Sequence, residues 1–341
     1  MDERLAPIPL TVITGFLGAG KTTRLNRWLA DPTFSDTLVI INEFGSVGLD
    51  HLLVEKAEGD MVLMAAGCLC CTIRGDLVAT LEDLLRRRDN ARIRVFRRVV
   101  IETTGLADPL PILQAIIQHP YLSKRFVIAS IVTLVDAVHG ASTLEAHIEA
   151  RRQVALADAL ILSKGDLATP DTRMATEAAV AALNPHAHWL EGSMENSADA
   201  LTTSRFLPDK LDDNALLTWL GENQSMSHQP GHDPNSNGGS IEAHGFVSDE
   251  AVDASQLIVF REAMRLLLGP RLLRMKGLVR MAEHPEKPVL IHHVQSVADA
   301  PVTLGQWPSR DRRTRIVIIA QDVDKAVISG FWEALTRRIL G

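Results

Sequence analysis

Cysteine is nearly absent from this 341-residue chain: there are three, and all lie in the run Cys68-Leu69-Cys70-Cys71. A disulfide framework distributes its cysteines along a small secreted chain, so none is expected here. Buried cysteines used as apolar filler would be scattered, which ranks that reading below a metal site. Positive charge is also short. The formal net charge is −7, which argues against a general nucleic-acid binder, whose affinity rests on neutralising phosphates. The arginines that do cluster, Arg86-Arg87-Arg88 and then Arg92, Arg94, Arg97 and Arg98, read as a solvated helix end and its adjoining loop. Long apolar runs are missing, since the best one, Phe126 to Val138, contains Ser130, Thr133 and Asp136. Met1-Asp2-Glu3-Arg4 lacks the basic-then-apolar order of a secretory signal. These absences predict a cytoplasmic protein in a reducing compartment, with neither membrane nor nucleic acid as a partner.

The cysteine run has the layout of a chelate. Met61 to Gly67 reads as a short apolar strand ending at a glycine, and side chains two apart on an extended backbone project to one side. Cys68 and Cys70 are then expected to face one ion, with Cys71 turned away. Thiolates select Zn(II), Cu(I) or other late transition metals over Mg²⁺ or Ca²⁺. Two or three thiolates leave a position for water, a carboxylate, a histidine or a partner chain, and such an open site suits transfer better than structural storage. Glu43 and His51 are the candidate non-thiolate ligands.

Upstream, the apolar segment Leu10-Thr11-Val12-Ile13-Thr14 runs into Gly15-Phe16-Leu17-Gly18-Ala19-Gly20-Lys21-Thr22-Thr23, with helical character from Arg24 to Ala30. This is a G-x4-G-K-T phosphate loop in its strand-to-helix context. Its glycines (Gly15, Gly18, Gly20) let backbone N–H groups, including those at Ala19 and Thr23, converge on phosphates at a helix amino end. Lys21 is expected to reach the β and γ phosphates, and the Thr22 hydroxyl to bind Mg²⁺. Downstream, Arg98 to Ile101 predicts a strand ending in Glu102-Thr103-Thr104-Gly105-Leu106-Ala107-Asp108-Pro109. A carboxylate at a strand end with glycine three residues later fits a γ-phosphate-sensing turn, Glu102 orienting water or Mg²⁺ ligands and the Gly105 N–H meeting phosphate. A third segment, Asp158 to Ser163, delivers Lys164-Gly165-Asp166, as in the base-reading loops of GTPases. Asp166 can accept from the N1–H and exocyclic amine of guanine, where adenine offers an acceptor instead. The competing reading makes Asp166 a cap for the next helix, and Ser163 stands where GTPases usually carry asparagine.

Four segments occur in order: Gly15 to Thr23; Asn42-Glu43-Phe44-Gly45 with Val47-Gly48-Leu49-Asp50; Gly67-Cys68-Leu69-Cys70-Cys71 followed by Arg74-Gly75-Asp76-Leu77; and Glu102 to Pro109. Together they closely resemble the CobW-type metal-trafficking P-loop GTPases, relatives of the nickel-inserting accessory GTPases of urease and hydrogenase. Leu273-Arg274-Met275-Lys276-Gly277 and His292-His293-Val294-Gln295 extend the resemblance into the carboxy-terminal half. It implies GTP hydrolysis coupled to handling of zinc or cobalt, with a client metalloprotein as partner in some members; a homo-oligomer is compatible with it. Two features depart from the family pattern. Ser46 replaces a frequent glutamate, and His228, His232 and His244 stand in place of a long histidine run, as auxiliary metal contacts at best.

Apolar strands alternate with helical segments from Pro9 to about Leu220, which predicts an α/β fold with a mostly parallel sheet and ligands at the strand carboxyl ends. Residues 1–220 are expected to form the P-loop GTPase domain, 221–240 a polar linker, and 241–341 a smaller α+β domain containing Trp307, Phe331 and Trp332. Trp307, in a Gly-Gln-Trp-Pro turn, is also a candidate partner-surface residue, and Asp136 ends a strand from which it could approach the nucleotide site, although its context favours a turn residue. Two alternatives accompany the metallochaperone reading: a switch that activates a metalloenzyme without carrying metal, and a small-molecule phosphotransferase. The latter needs an acceptor pocket and a catalytic base, and the sequence offers neither.

Overall fold

The computed structural model describes residues 7–44, 61–66, 72–185, 187–190, 240–294, 297–298 and 301–336, the side chains of 42–44, 61–66, 72–76, 297–298 and 335–336 excepted. Cys68, Cys70, Cys71, Ser46, His51, His228 and His232 therefore lie outside the described residues, as do the side chain of Glu43 and the 221–239 linker. The chain splits into two compact units, the first built from 7–143 with 157–176 and 189–190, the second from 144–156, 177–188 and the described residues from 240 onward.

The first unit is a seven-stranded sheet in the order β3-β2-β4-β1-β5-β6-β7. Its strands are β1 (Ile8–Thr14), β2 (Thr37–Phe44), β3 (Met61–Ala66), β4 (Arg98–Thr103), β5 (Phe126–Asp136), β6 (Ala159–Ser163) and β7 (His188–Trp189). The paired registers among β1 to β6 are parallel. Their sequences are near-continuous apolar runs because a parallel sheet is buried on both faces, and β1 is buried at every position except Pro9. Strand β1 lies between β4 and β5, with β2, β3 and β4 on one side of it and β5, β6 and β7 on the other, so the direction of the crossovers reverses beside β1. That reversal opens a crevice at the strand carboxyl ends, where ligands bind in such sheets.

Helices α1 (Lys21–Leu29), α2 (Thr72–Asp89), α3 (Leu110–Ile117), α4 (Leu122–Arg125) and α5 (Gly140–Ala146) come from the first unit's span, followed by α6 (Ile148–Leu156) and α7 (Pro170–Leu183). Strand β4 begins at Arg98, so Val95 to Arg97 lie before the sheet. Phe96 instead points into the core, its carbonyl accepting from Arg88 Nε at 3.0 Å while the Arg88 guanidinium lies 5.4 Å from the ring centroid. Arg88 is thus a buried structural residue and not part of a solvated helix end. Arg86 and Arg87 do behave as expected, pairing at the surface with Asp83.

The second unit centres on an antiparallel sheet, β11-β10-β9-β13-β8, with β12 paired to β10. Its strands are β8 (Ile241–Ser248), β9 (Leu272–Val279), β10 (Val289–Val294), β11 (Val297–Ala298), β12 (Val302–Thr303) and β13 (Thr314–Gln321), and its helices α8 (Ala254–Leu268) and α9 (Lys325–Thr336). Asp253 and Gln256 form a capping box that starts α8. Strand β9 is buried at all eight positions, and a Cβ on Gly277 would come within 2.7 Å of Ile316 Cγ1, so this central strand needs glycine there. Arg274 of β9 donates to the Leu156 carbonyl at 2.5 Å, satisfying the end of α6. Trp307 is interior: it packs with Leu278, Leu290 and Leu304 and donates from Nε1 to the Pro285 carbonyl at 2.8 Å, which leaves no partner surface there.

His244 belongs to strand β8 instead of a linker, and it is 4 % exposed. Burial holds its imidazole below the usual histidine range; Glu242 opposes this, and Lys325 adds to it. The folded state therefore keeps His244 neutral while the unfolded chain takes up a proton near pH ~6.5, so stability is full above that value and falls as pH drops through it. Thermal unfolding at about pH 7.5 and about pH 5.5 should show a larger acid loss in the wild type than in His244→Gln. Equal losses would place the acid sensitivity elsewhere.

Candidate functional site

The phosphate loop owes its shape to glycines at two kinds of position. Gly15 has φ +141°, and a Cβ there would lie 2.5 Å from the Leu134 carbonyl oxygen of β5, so no side chain fits between the loop and the sheet. Gly18 and Gly20 have φ +74° and +83°, the left-handed turns that fold the loop back onto α1. Ala19 is buried and its N–H donates to the Phe16 carbonyl at 3.1 Å. Gly20 is the N-cap of α1 and supplies no side-chain oxygen, so the first-turn N–H groups and the positive end of the helix dipole serve the loop concavity.

Lys21 is the first residue of α1 and is buried. Its ammonium donates to the carbonyls of Gly15 at 2.8 Å and Phe16 at 3.2 Å, so it lies across the loop that a phosphate would occupy. Burial pushes its pKa down, and the nearby Glu102 carboxylate opposes that shift. Thr22 donates from Oγ1 to Glu102 Oε1 at 2.8 Å, while Thr23 is exposed. Glu102 is 4 % exposed and sits one residue before the end of β4, opposite Ile13 of β1. The sheet thus brings three predicted residues, Lys21, Thr22 and Glu102, together from segments 80 residues apart. A hydroxyl and a carboxylate at contact distance are hard oxygen donors of the kind Mg²⁺ takes, so the donor set fits that ion.

Gly105 abuts the same loop. A Cβ on it would lie 2.5 Å from the Leu17 backbone nitrogen, and only glycine allows the turn after β4 to lie this close to the phosphate loop. Asp108 then accepts the Leu110 N–H at 3.0 Å and starts α3. On the other side, Ser163 reaches the loop: a Cβ built on Gly20 would be 3.9 Å from that of Ser163, an ordinary contact. Lys164 follows with φ +56°, and Asp166 lies exposed in the turn beyond it. Asp166 does not cap α7. That helix starts at Pro170, and Thr169 Oγ1 accepts the Thr172 N–H at 3.2 Å.

Asp136 is the functional-site neighbour that sequence reading treated as a turn residue. Its Oδ2 accepts from Lys164 Nζ at 2.6 Å, and its Oδ1 accepts the N–H groups of Val138 at 2.8 Å and His139 at 3.2 Å. Burial pushes its carboxyl up, but the hydrogen bonds from Lys164, Val138 and His139 outweigh this and hold it below the usual carboxylate range.

Strand β3 forms as expected and pairs with β2 in the register Asn42↔Met64, Glu43↔Ala65 and Phe44↔Ala66. The end of β3, two residues before Cys68 in sequence, therefore lies beside the end of β2, which carries Asn42 to Phe44. Among the described residues, no three His, Cys, Asp or Glu groups converge on a common point.

The family described as CobW/HypB/UreG, nucleotide-binding domain, matches residues 9–191, and the cobalamin synthesis protein CobW C-terminal domain matches residues 241–336. The chain belongs to the CobW family. A zinc chaperone CobW of Pseudomonas aeruginosa is 30% identical over 96% of this chain and 91% of its own length. The zinc chaperone YjiA of Escherichia coli is 41% identical, but that match spans 48% of this chain and about half, 51%, of the relative. The crystal structure of Zn(II)-bound YjiA GTPase from E. coli superposes with a TM-score of 0.71 at 27% identity, covering 97% of this chain and 99% of that one. As a CobW-family member the protein carries a P-loop GTPase-type sheet joined to an antiparallel carboxy-terminal unit. Among the described residues, no helix is long and apolar enough to cross a membrane.

Proposed function

We propose that this protein is a GTP-hydrolysing metallochaperone that binds zinc at Cys68 and Cys70 and passes it to a client protein under control of the nucleotide state. The observation that carries the nucleotide half is the contact of Thr22 with Glu102 beside a buried Lys21. On binding GTP, Lys21 exchanges the Gly15 and Phe16 carbonyls for the β and γ phosphates, where its charge offsets what builds up as the bridging P–O bond breaks. Thr22 and Glu102 would hold Mg²⁺, which when bound neutralises phosphate charge. Glu102 orients the attacking water, the Gly105 N–H meets the γ phosphate, and Asp166 reads guanine. Cobalt remains the second metal that thiolates of this layout accept.

Support for the metal half comes from the sheet and from relatives named as zinc chaperones. Strands β2 and β3 are parallel neighbours, so the end of β2, which carries Asn42 to Phe44 of the Asn42–Asp50 motif, lies beside the end of β3, which precedes the cysteine run in sequence. Helix α2, which follows the run, packs on α3, which follows the Glu102–Asp108 turn. Phosphate-driven ordering of the turn after β4 would act on α3 and through it on α2, the helix that follows the cysteine run in sequence. Competition for zinc against a chromophoric chelator tests the ligand assignment. Cys68→Ser and Cys70→Ser should each weaken binding by at least about tenfold, and Cys71→Ser far less, because only alternate side chains share a side. Equal losses at all three would indicate a bent three-thiolate site.

A further inference from the structure

The base-reading loop is held in a conformation that its own residues do not favour, and the group that holds it comes from a different strand. Lys164 has φ +56°, left-handed for a residue with a Cβ. Asp166, two positions on, is exposed in the turn, so its aim depends on the backbone at 164 and 165. Ser163 anchors the loop's base, donating from Oγ to the Val135 carbonyl at 3.2 Å, while the Ala137 N–H donates to the Ser163 carbonyl at 2.9 Å. Serine is short and its hydroxyl is used in this contact. Beyond it, the loop's tie to the sheet is the Lys164–Asp136 pair, with Asp136 side-chain exposure of 13 % and Oδ1 locked by two backbone N–H groups.

We propose that Asp136 is a specificity-positioning residue: by clamping Lys164 it fixes the left-handed turn that presents Asp166 to the Watson–Crick edge of a guanine nucleotide. The arrangement assigns to a carboxylate on β5 part of the loop-fixing work that an asparagine at position 163 would share in other GTPases. The Asp136 carboxylate is sheltered, and with Oδ1 held by the Val138 and His139 N–H groups its Oδ2 is fixed in place for the single Lys164 contact. It also neutralises Lys164, which leaves the Asp166 charge to select the N1–H and amine donors of guanine over the acceptor of adenine.

This inference rests on the guanine-nucleotide reading above, and the test separates the two. The full chain is titrated with ribose-labelled fluorescent GDP and ADP, whose bases are unmodified. The wild type should favour GDP; a wild type without that preference overturns both readings. Asp136→Asn keeps an oxygen for the Val138 and His139 N–H groups but loses the charge that clamps Lys164, and Lys164→Met removes the other half. Each should lower the GDP-over-ADP preference by at least about tenfold, with thermal midpoints close to the wild type. The double variant should be no worse than the poorer single one, because both break one interaction. A preference retained in either variant, an equal loss for GDP and ADP, or losses that multiply in the double variant would overturn the assignment of Asp136 while leaving guanine recognition in place.

Discussion

Lys21→Ala is expected to reduce GTP turnover by about 10²-fold or more while leaving the fold intact. Removing a single preorganised charge-stabilising donor costs roughly 10²–10³ in rate where it acts on the transition state. Lys21 qualifies because its ammonium lies across the loop, held at 2.8 and 3.2 Å by the Gly15 and Phe16 carbonyls at the helix amino end. The substitution leaves the Gly15 and Phe16 carbonyls facing the loop concavity, where water satisfies them, so the thermal midpoint should change little. Phosphate release under single-turnover conditions measures the effect. Near-normal turnover in the folded variant would remove the phosphate loop from the chemistry.

Glu102→Gln should produce a comparable loss, about 10²-fold in hydrolysis, with a much smaller change in GDP affinity. Glutamine preserves the side chain's shape and can still accept from Thr22 Oγ1, so what is lost is charge and not packing. The variant carries a second signature. Burial lowers the Lys21 pKa and the Glu102 charge counters it, so neutralising Glu102 leaves burial unopposed and lowers the Lys21 pKa further. Residual activity should then begin to fall at a lower pH on the alkaline side than in the wild type. An unshifted alkaline limb would mean that the two groups do not sense each other as their geometry requires.

The local elements of the site were legible in the sequence because each is encoded by contiguous residues. Leu10 to Ala30 fixes a strand, a turn and a helix within one segment, and Glu102 to Pro109 fixes another strand end. The alternation of apolar runs with helical stretches was enough to predict the parallel sheet. Less legible were side chains whose role depends on a partner far along the chain. Asp136 looks like any acidic turn residue until Lys164, 28 residues on, is folded against it. Arg88 belongs to a basic run by sequence but is drawn inward by the Phe96 carbonyl and ring. His244 follows a polar stretch and was grouped with it, yet pairing of β8 with β13 buries it. Trp307 sits in a turn-like context, and only the packing of Leu278, Leu290 and Leu304 makes it core.

The proposed coupling of nucleotide and metal occupancy is tested most directly by the zinc dissociation constant in three conditions: buffer alone, Mg²⁺-GDP, and Mg²⁺ with a non-hydrolysable GTP analogue. Couplings through loops ordered by a γ phosphate are typically about 1–3 kcal/mol, or roughly 5–150-fold. A shift of that size is expected with the GTP analogue, little or none with GDP, and a reciprocal change of equal factor in GTP-analogue affinity when zinc is bound. Three indistinguishable zinc constants would contradict it and leave a nucleotide-binding protein whose cysteine run is independent of its phosphate loop.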